Sequence, residues 1–126
     1  MEDANTTGAS TALRVYEKPT CTTCRKLKAL LAERGISFES IDYHQTGLGE
    51  LELRHLLEKM GVGPREILRS SEPLVKELGL DDPEFDEQRL ITLMVERPQL
   101  VQRPIVLSKD RAVLARPIER ALELLD

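Results

Sequence analysis

The order of apolar and polar positions predicts a βαβ unit at the start of the folded chain. Leu13 and Val15 alternate with Arg14 and Tyr16, which is typical of a short strand. In the next segment leucines recur at helical spacing and charged residues take the opposite face: Leu27, Leu30 and Leu31 against Lys26, Lys28 and Glu33. A second strand is predicted over residues 36–43, so one helix joins two strands that should run parallel.

The middle of the chain is predicted to be helical. One helix is indicated by four apolar residues at i, i+3, i+4 and i+7, namely Leu53, Leu56, Leu57 and Met60. Pro64 can open a short helix, a second short helix is predicted over residues 74–78, and a longer one covers residues 86–97. We therefore expect a helical insertion over about residues 49–98.

The last part of the chain predicts a return to the sheet. Residues 105–107 form a short apolar strand, and residues 112–114 pair with it across a tight turn. Pro117 then begins a final helix, whose inner face is predicted to be Ile118, Ala121, Leu122 and Leu125. This order, βαβ plus ββα, predicts an α/β protein with a thioredoxin-like fold, a small mixed sheet flanked by helices. Residues 1–11 are expected to be a flexible leader, and residues 12–126 a single domain.

Composition narrows the classes of function. The chain has 126 residues, enough for one domain with its own core. Its only aromatic residues are two Tyr and two Phe, and its net charge is −4, so a nucleic-acid partner is not expected. No apolar run is long enough to span a membrane, and the acidic, polar residues 1–10 do not resemble a signal peptide. We expect a cytoplasmic monomer.

The two cysteines suggest redox chemistry. Cys21 and Cys24 form a C-x-x-C motif directly after a predicted strand, at the start of the helix of a βαβ unit. Unpaired backbone N–H groups and the helix dipole lower the pKa of a thiol placed there. The amides of Thr22 and Thr23 add to this effect, and Lys18 adds positive charge nearby. Cys21 is therefore the predicted nucleophile.

Other roles for these cysteines are open to different degrees. Cys24 lies at the edge of the leucine stripe, so it is either a resolving thiol or a filler of the core, and its position alone does not decide. A structural zinc ion needs about four ligands, and His44 and His55 have no recognisable ligand spacing. Both histidines are interpreted as solvent-facing residues of a loop and a helix. We expect no metal site.

Three arginines occur beside proline-marked junctions. Arg69 lies in the segment MGVGPREILRSSEP, while Arg103 and Arg116 each directly precede a proline. A residue before proline has a restricted backbone, so its side chain has a defined direction. If the hairpin lies beside the first strand, Arg103 and Arg116 come close to Cys21. Guanidinium groups around a thiolate suit a tetrahedral oxyanion, because each donates paired hydrogen bonds to its oxygens.

With these residues in view, the sequence resembles the arsenate reductases of the glutaredoxin-coupled, thioredoxin-fold class, within the ArsC/Spx-like superfamily. The resemblance runs from about Leu13 to Leu125. Its motifs are Y-x-x-P-x-C at 16–21, REILRSSEPLVKELGL at 65–80, ERPQLVQRPIVL at 96–107 and LARP at 114–117. Taken together these motifs are specific, whereas the C-x-x-C alone is not.

The resemblance implies an enzyme that reduces arsenate to arsenite, with no bound cofactor. Cys21 would attack arsenate or a similar oxyanion, and Arg69, Arg103 and Arg116 would bind it. Pro104 would follow a cis peptide bond and shape the site. Glutathione with glutaredoxin, or a thioredoxin-type partner, would supply the reducing equivalents.

The sequence departs from the reductase pattern in two places, at the Glu17–Lys18 pair and at Cys24. Many relatives have histidine and asparagine where this chain has Glu17 and Lys18, so an inward-pointing Glu17 would raise the thiol pKa, with Lys18 offsetting it. Cys24 stands where single-thiol reductases usually have serine. A second thiol is a feature of the Spx-like regulators, so the alternative function is a redox-sensing transcriptional regulator that binds RNA polymerase through a C-x-x-C switch. Those regulators typically lack the arginine matching Arg116, and the full arginine set favours the reductase.

Overall fold

The computed structural model describes residues 13–125, so the predicted leader, residues 1–11, lies outside the described residues. These residues cluster into two compact units, one made of residues 13–42 and 103–125, the other of Tyr43–Gln102. The first unit contains four strands and one helix: β1 (Leu13–Glu17), α1 (Thr22–Glu33), β2 (Phe38–Asp42), β3 (Ile105–Leu107) and β4 (Ala112–Leu114). It closes with a 3₁₀ segment over Ile118–Leu125.

The sheet of the first unit has the order β2-β1-β3-β4. β1 runs parallel to β2, whereas β3 runs antiparallel to both β1 and β4. The parallel pair is joined through α1 and the antiparallel pair through a tight turn, as the connection lengths require. The protein has the predicted thioredoxin-like fold.

The two faces of the sheet are both apolar near β1. Leu13 and Val15 point to the face that packs on α1, where they form a core with Leu27, Leu31 and further residues, Val106, Val113, Ala115, Ala121 and Leu124. Tyr16 was expected on the polar side of the strand, but it is buried. It stands opposite Ile41 on β2 and Ile105 on β3, so its row of the sheet is apolar as well.

Because side chains alternate along a strand, Glu17 points to the same face as Leu13 and Val15. It is the last residue of β1, and its side chain is buried like theirs. A carboxylate therefore lies on the α1-facing side of the sheet, at the end of the strand nearest Cys21.

The second unit is helical. Its elements are α2 (Tyr43–Thr46), α3 (Glu50–Met60), α4 (Pro73–Leu78) and α5 (Glu87–Glu96), with 3₁₀ turns at Pro64–Ile67 and Pro98–Leu100. α3 ends at Gly61, whose φ of +71° is the left-handed conformation that glycine tolerates best. α5 begins after Asp86, whose carboxylate accepts a hydrogen bond from the Arg89 amide at 2.9 Å. The helices predicted over this block are confirmed to within a few residues, and the turn at Pro98 was not predicted.

The strand predicted over residues 36–43 is shorter than expected. β2 covers Phe38–Asp42, and Tyr43 instead begins the short helix α2. Tyr43 is fully buried, and its hydroxyl donates a hydrogen bond to the Val101 carbonyl at 2.5 Å. The carbonyl of Tyr43 accepts from the Gly47 amide, which closes a helical turn. His44 therefore lies in a half-buried helical turn, not in a solvent-facing loop.

The final helix is 3₁₀ rather than α. In a 3₁₀ helix side chains three residues apart share a face. Ile118, Ala121 and Leu124 accordingly point to the core, whereas Leu125, predicted to be inward, is 45% exposed. The inner face of the final helix was therefore predicted with the wrong period. None of the helices within residues 13–125 has the length and apolar character needed to cross a membrane.

Candidate active site

Cys21 is held at the start of α1 by the loop that leaves β1. Its amide donates a hydrogen bond to the Lys18 carbonyl at 2.9 Å, and its backbone is extended, as an N-cap residue requires. The Cys21 Sγ atom accepts a hydrogen bond from the Cys24 amide at 3.4 Å. The sulfur thus takes the place that a serine or aspartate oxygen occupies in an ordinary N-cap, where the helix favours negative charge.

The surroundings of Cys21 favour its thiolate. Burial alone raises the pKa of this thiol, but the amide and thiol of Cys24 and the guanidinium of Arg103 hydrogen-bond to the sulfur and lower it. The positive charge of Arg103 lowers it further, and the resulting pKa is about 7 against an ordinary value of 9.0. Cys21 is also half-exposed, so a substrate can reach it. A sulfur that is accessible and ionised near neutral pH is a competent nucleophile.

Arg103 reaches the cysteine from the neighbouring strand. It lies two residues before β3, which pairs with β1, and only 6% of it is exposed. The Arg103–Pro104 peptide bond is cis, as the resemblance implies, and the Pro104 carbonyl accepts a hydrogen bond from the Ala115 amide at 2.9 Å. Pro104 is buried with Arg103.

Arg116 joins the same group of residues from the end of β4. Its Nε donates a hydrogen bond to the Arg103 carbonyl at 2.7 Å, and the Arg116–Pro117 bond is also cis. Within residues 13–125 no carboxylate forms an ion pair with Arg116. Arg103 therefore contacts both residues, Cys21 through its guanidinium and Arg116 through its backbone carbonyl.

Arg69 belongs to the second unit. Its Nη1 donates a hydrogen bond to Gln102 Oε1 at 2.9 Å, and its Nε lies 3.6 Å from the Glu72 carboxylate. The Arg69 amide donates to the Leu100 carbonyl at 2.8 Å, beside the bridge between Leu68 and Val101. These contacts fix the arginine within its own unit.

Comparison with known proteins identifies the family. The ArsC family matches residues 16–124, which is most of the chain. The protein belongs to the ArsC family. An uncharacterised protein of Escherichia coli, YfgD, is 38% identical over 113 residues, covering 89% of this chain and 95% of its own. An arsenate reductase of Neisseria meningitidis is 36% identical over 108 residues, covering 85% and 92%. The solved structure of an arsenate reductase from Vibrio cholerae is 35% identical, with a TM-score of 0.86 and coverage of 92% and 99%.

The second cysteine of this ArsC family member differs sharply from the first. Cys24 is fully buried on the inner side of α1. Burial raises its pKa most, a backbone hydrogen bond with Lys18 opposes this, and the thiolate of Cys21 and the charge of Glu17 raise it further, to about 12. Both cysteines are free thiols. Cys24 is thus a protonated thiol in contact with the nucleophile.

A partly buried ion pair between β1 and α1 involves Glu17, and only one of its two partners was expected. The side chain of Glu17 points inward, as considered for this position, but its partner is Lys28 rather than Lys18. Lys28 was predicted on the solvent-facing side of the helix. It follows Cys24 by four residues, so the two share a helix face, and that spacing is the signal that could have identified it. The Glu17 charge raises the pKa of Cys24 and is not among the influences on Cys21.

The remaining predicted positions have simpler surroundings. Thr22 is exposed and Thr23 is half-buried at the start of α1. Within the described residues no group of three or more His, Cys, Asp and Glu side chains is arranged to hold a metal ion. His55 is exposed on α3.

Proposed function

We propose that this ArsC family protein reduces arsenate to arsenite, with Cys21 as the nucleophile. The observation that supports this most directly is the half-exposed Cys21 thiol, whose pKa is about 7 and whose sulfur is hydrogen-bonded to the buried Arg103 guanidinium. The relatives that are called arsenate reductases support the choice of substrate. A thiolate beside fixed positive charge is suited to attack the centre of a bound oxyanion.

In the proposed reaction Arg103 and Arg116 bind and orient the arsenate oxygens. Cys21 then forms a sulfur–arsenic bond, and one arsenate oxygen leaves as water. Arg116 suits this role because it is half-buried and no carboxylate within residues 13–125 neutralises it. Arg103 would both stabilise the thiolate and receive the developing negative charge of the oxyanion.

A second thiol completes the reduction. It attacks the Cys21 sulfur, the pair of electrons of the sulfur–arsenic bond stays on arsenic, and arsenite leaves. Over both steps, one arsenate and two thiols give one disulfide, one arsenite and one water. Glutathione, with glutaredoxin, or Cys24, with a thioredoxin-type partner, can supply that thiol. The reaction is assigned to the cytoplasm, where such thiols are kept reduced.

The resemblance also assigns Arg69 to the oxyanion. This role is tested separately with Arg69→Lys, which keeps the charge and loses the forked geometry of the guanidinium. A rise in KM for arsenate with little change in the reactivity of Cys21 is the expected result. Unchanged kinetics would remove Arg69 from the proposed site.

The deciding experiment is arsenate-dependent NADPH oxidation, coupled to glutathione, glutaredoxin and glutathione reductase in one series and to thioredoxin with its reductase in another. Wild-type protein is expected to turn over in at least one series, and Cys21→Ser in neither. Cys24→Ser separates the two routes: it keeps the glutathione route and loses the thioredoxin route. Equal rates for wild type and Cys21→Ser would contradict the proposed mechanism.

The same preparation distinguishes the alternative of an Spx-like regulator. Such a regulator would capture RNA polymerase after oxidation of Cys21 and Cys24 and would show no arsenate turnover. Turnover without polymerase capture is expected here, because Arg103 beside Cys21, with Arg116 bonded to its carbonyl, suits an oxyanion.

A further inference from the structure

The buried carboxylate of Glu17 has no part in the mechanism above. Only 2% of Glu17 is exposed, at the end of β1 on the side that packs against α1. Its Oε2 accepts a hydrogen bond from Lys28 Nζ at 3.2 Å. Its Oε1 is buried and has no hydrogen-bond partner within residues 13–125. A buried acceptor without a donor is unfavourable, so its presence in the core calls for an explanation.

Cys24 is a reactive group on the helix face that meets this carboxylate. Cys24 and Lys28 are four residues apart, so both lie on the face of α1 that meets Glu17. The Glu17 charge also contributes, less than burial and Cys21 do, to the raised pKa of Cys24. The charged and titratable groups on neighbouring elements are Lys28 on α1, Cys21, and Arg103 before β3. Asp42 also stands opposite Glu17, in the neighbouring strand β2.

We propose that Glu17 is the proton acceptor for Cys24 when Cys24 acts as the resolving thiol. This rests on the proposed function, of which it selects the internal route. The proton passes from the Cys24 thiol to the free Glu17 oxygen, directly or through one water molecule, and Lys28 holds the carboxylate in place.

The proposed step balances. The Cys24 thiol and the Glu17 carboxylate give a Cys24 thiolate and a neutral Glu17 carboxylic acid. The thiolate attacks the Cys21 sulfur, the new bond is the Cys21–Cys24 disulfide, and the group that was attached to Cys21 leaves with the electron pair of the broken bond. With arsenic as that group, arsenite takes up a proton from solvent as it leaves.

The charges explain why a base is needed here. Cys24 is fully buried, and ionising it without a base adds a second anion beside Glu17. Transfer of its proton to Glu17 leaves one anion and one cation, Lys28, in the same place. Once Cys21 has formed a covalent bond its own negative charge is gone, which removes a further obstacle to ionising Cys24.

The experiment uses dithiobis(nitrobenzoate) as the probe, because Cys21 and Cys24 are the only cysteines of the chain. One equivalent reacts first with Cys21 and releases one thionitrobenzoate. Cys24 then attacks the mixed disulfide and releases a second, in a unimolecular phase that needs no arsenate. The second phase is expected to be about a hundredfold slower in Glu17→Gln, within the range of general base catalysis. The first phase should change little.

Two further variants make the result decisive. Glu33→Gln, at an exposed position at the far end of α1, is the matched control and is expected to match wild type in both phases. Glu17→Asp retains a carboxylate and is expected to recover part of the lost rate. Circular dichroism and the first phase show whether each variant is folded. If Glu17→Gln is unfolded, Glu17→Asp decides: it keeps the charge but withdraws the oxygen by one methylene, so a proton acceptor works more slowly, whereas a purely electrostatic role leaves the second phase unchanged or faster.

A purely electrostatic role gives the opposite sign. Removing a negative charge beside Cys24 lowers its pKa, so without base catalysis Glu17→Gln would speed the second phase. A second phase that is unchanged or faster overturns the assignment and leaves the arsenate reaction standing. Failure of arsenate turnover with a normal second phase overturns the proposed function alone.

Discussion

The two sides of the first turn of α1 show how one helix gives two cysteines opposite properties. On the open side Cys21 is half-exposed, receives hydrogen bonds from an amide and a guanidinium, and has a pKa of about 7. On the inner side Cys24 has no exposed surface, is influenced by the Glu17 charge, and has a pKa of about 12. Solvation and the sign of the charge acting on each thiol therefore outweigh the helix start that both residues share.

The largest expected effect is a difference in alkylation between these two sides. At pH 7 about half of Cys21 and about one part in 10⁵ of Cys24 are thiolate, and the higher nucleophilicity of a high-pKa thiolate recovers about a factor of 10². Cys21 should therefore react with iodoacetamide about 10²–10³ times faster. Mass spectrometry of the wild-type protein after brief treatment measures both initial rates. Comparable rates at the two residues would mean that the two environments do not differ as described.

Removal of Arg103 should make the Cys21 thiol more like the Cys24 thiol, with a higher pKa and lower reactivity. Arg103→Met keeps much of the volume and loses both the charge and the hydrogen bonds to Cys21. The pKa of Cys21 is expected to rise towards 9.0, and kcat/KM for arsenate to fall about ten- to a hundredfold, since a charged hydrogen bond contributes about 1.5–3 kcal/mol. Ultraviolet titration of the thiolate measures the first change and the coupled assay the second.

Arg14→Met is the control for Arg103→Met. Arg14 is an exposed arginine of the same unit, paired with Glu39 across β1 and β2. It should leave the pKa of Cys21 and the arsenate kinetics unaltered. Equal changes in the two variants would show that a general loss of positive charge, rather than Arg103 itself, controls the thiolate.

The two cysteines should also act oppositely on stability as pH rises. The folded protein releases the Cys21 proton near pH 7, whereas the unfolded chain retains it to about pH 9. The free energy of unfolding therefore rises with pH between those two values because of Cys21. The folded protein retains the Cys24 proton to about pH 12, so this residue removes stability above about 9. Relative to Cys21→Ser, the wild-type Tm should gain from pH 7 to 9. Relative to Cys24→Ser, the wild-type Tm should decline above pH 9. If the Tm difference between wild type and each of the two variants does not change with pH, the pKa shifts of Cys21 and Cys24 are contradicted.

The surroundings of Cys21 could largely be predicted from the sequence, because the motifs that indicate them are local. The C-x-x-C after a strand predicts Cys21 at a helix start, and the Arg-Pro pairs predict where Arg103 and Arg116 leave the hairpin. The surroundings of Cys24 depend on contacts between β1 and α1. The pairing of Glu17 with Lys28 requires the packing of α1 on β1, which residue periodicity does not specify, so Lys28 was placed outward. The burial of Tyr43 and the 3₁₀ period of Ile118–Leu125 are likewise tertiary in origin.

The smallest expected effect tests whether backbone amides or the Thr22 hydroxyl stabilise the Cys21 thiolate at the start of α1. Thr22 is exposed at the first helical position, and its hydroxyl has no role in the contacts of Cys21 described above. Thr22→Ala should therefore change the rate of Cys21 with dithiobis(nitrobenzoate) by less than about twofold, since it leaves the helix amides in place.

Thr22→Pro removes one of those amides while keeping the fold. Proline is well tolerated at the first helical position, and the residue before it must be extended, as Cys21 already is with φ −80° and ψ 123°. The pKa of Cys21 should rise by less than about one unit, because a helix terminus contributes about 0.3–1 kcal/mol. If Thr22→Ala instead slows Cys21 as much as Arg103→Met does, the threonine hydroxyl holds the thiolate and the backbone account of the open side is wrong.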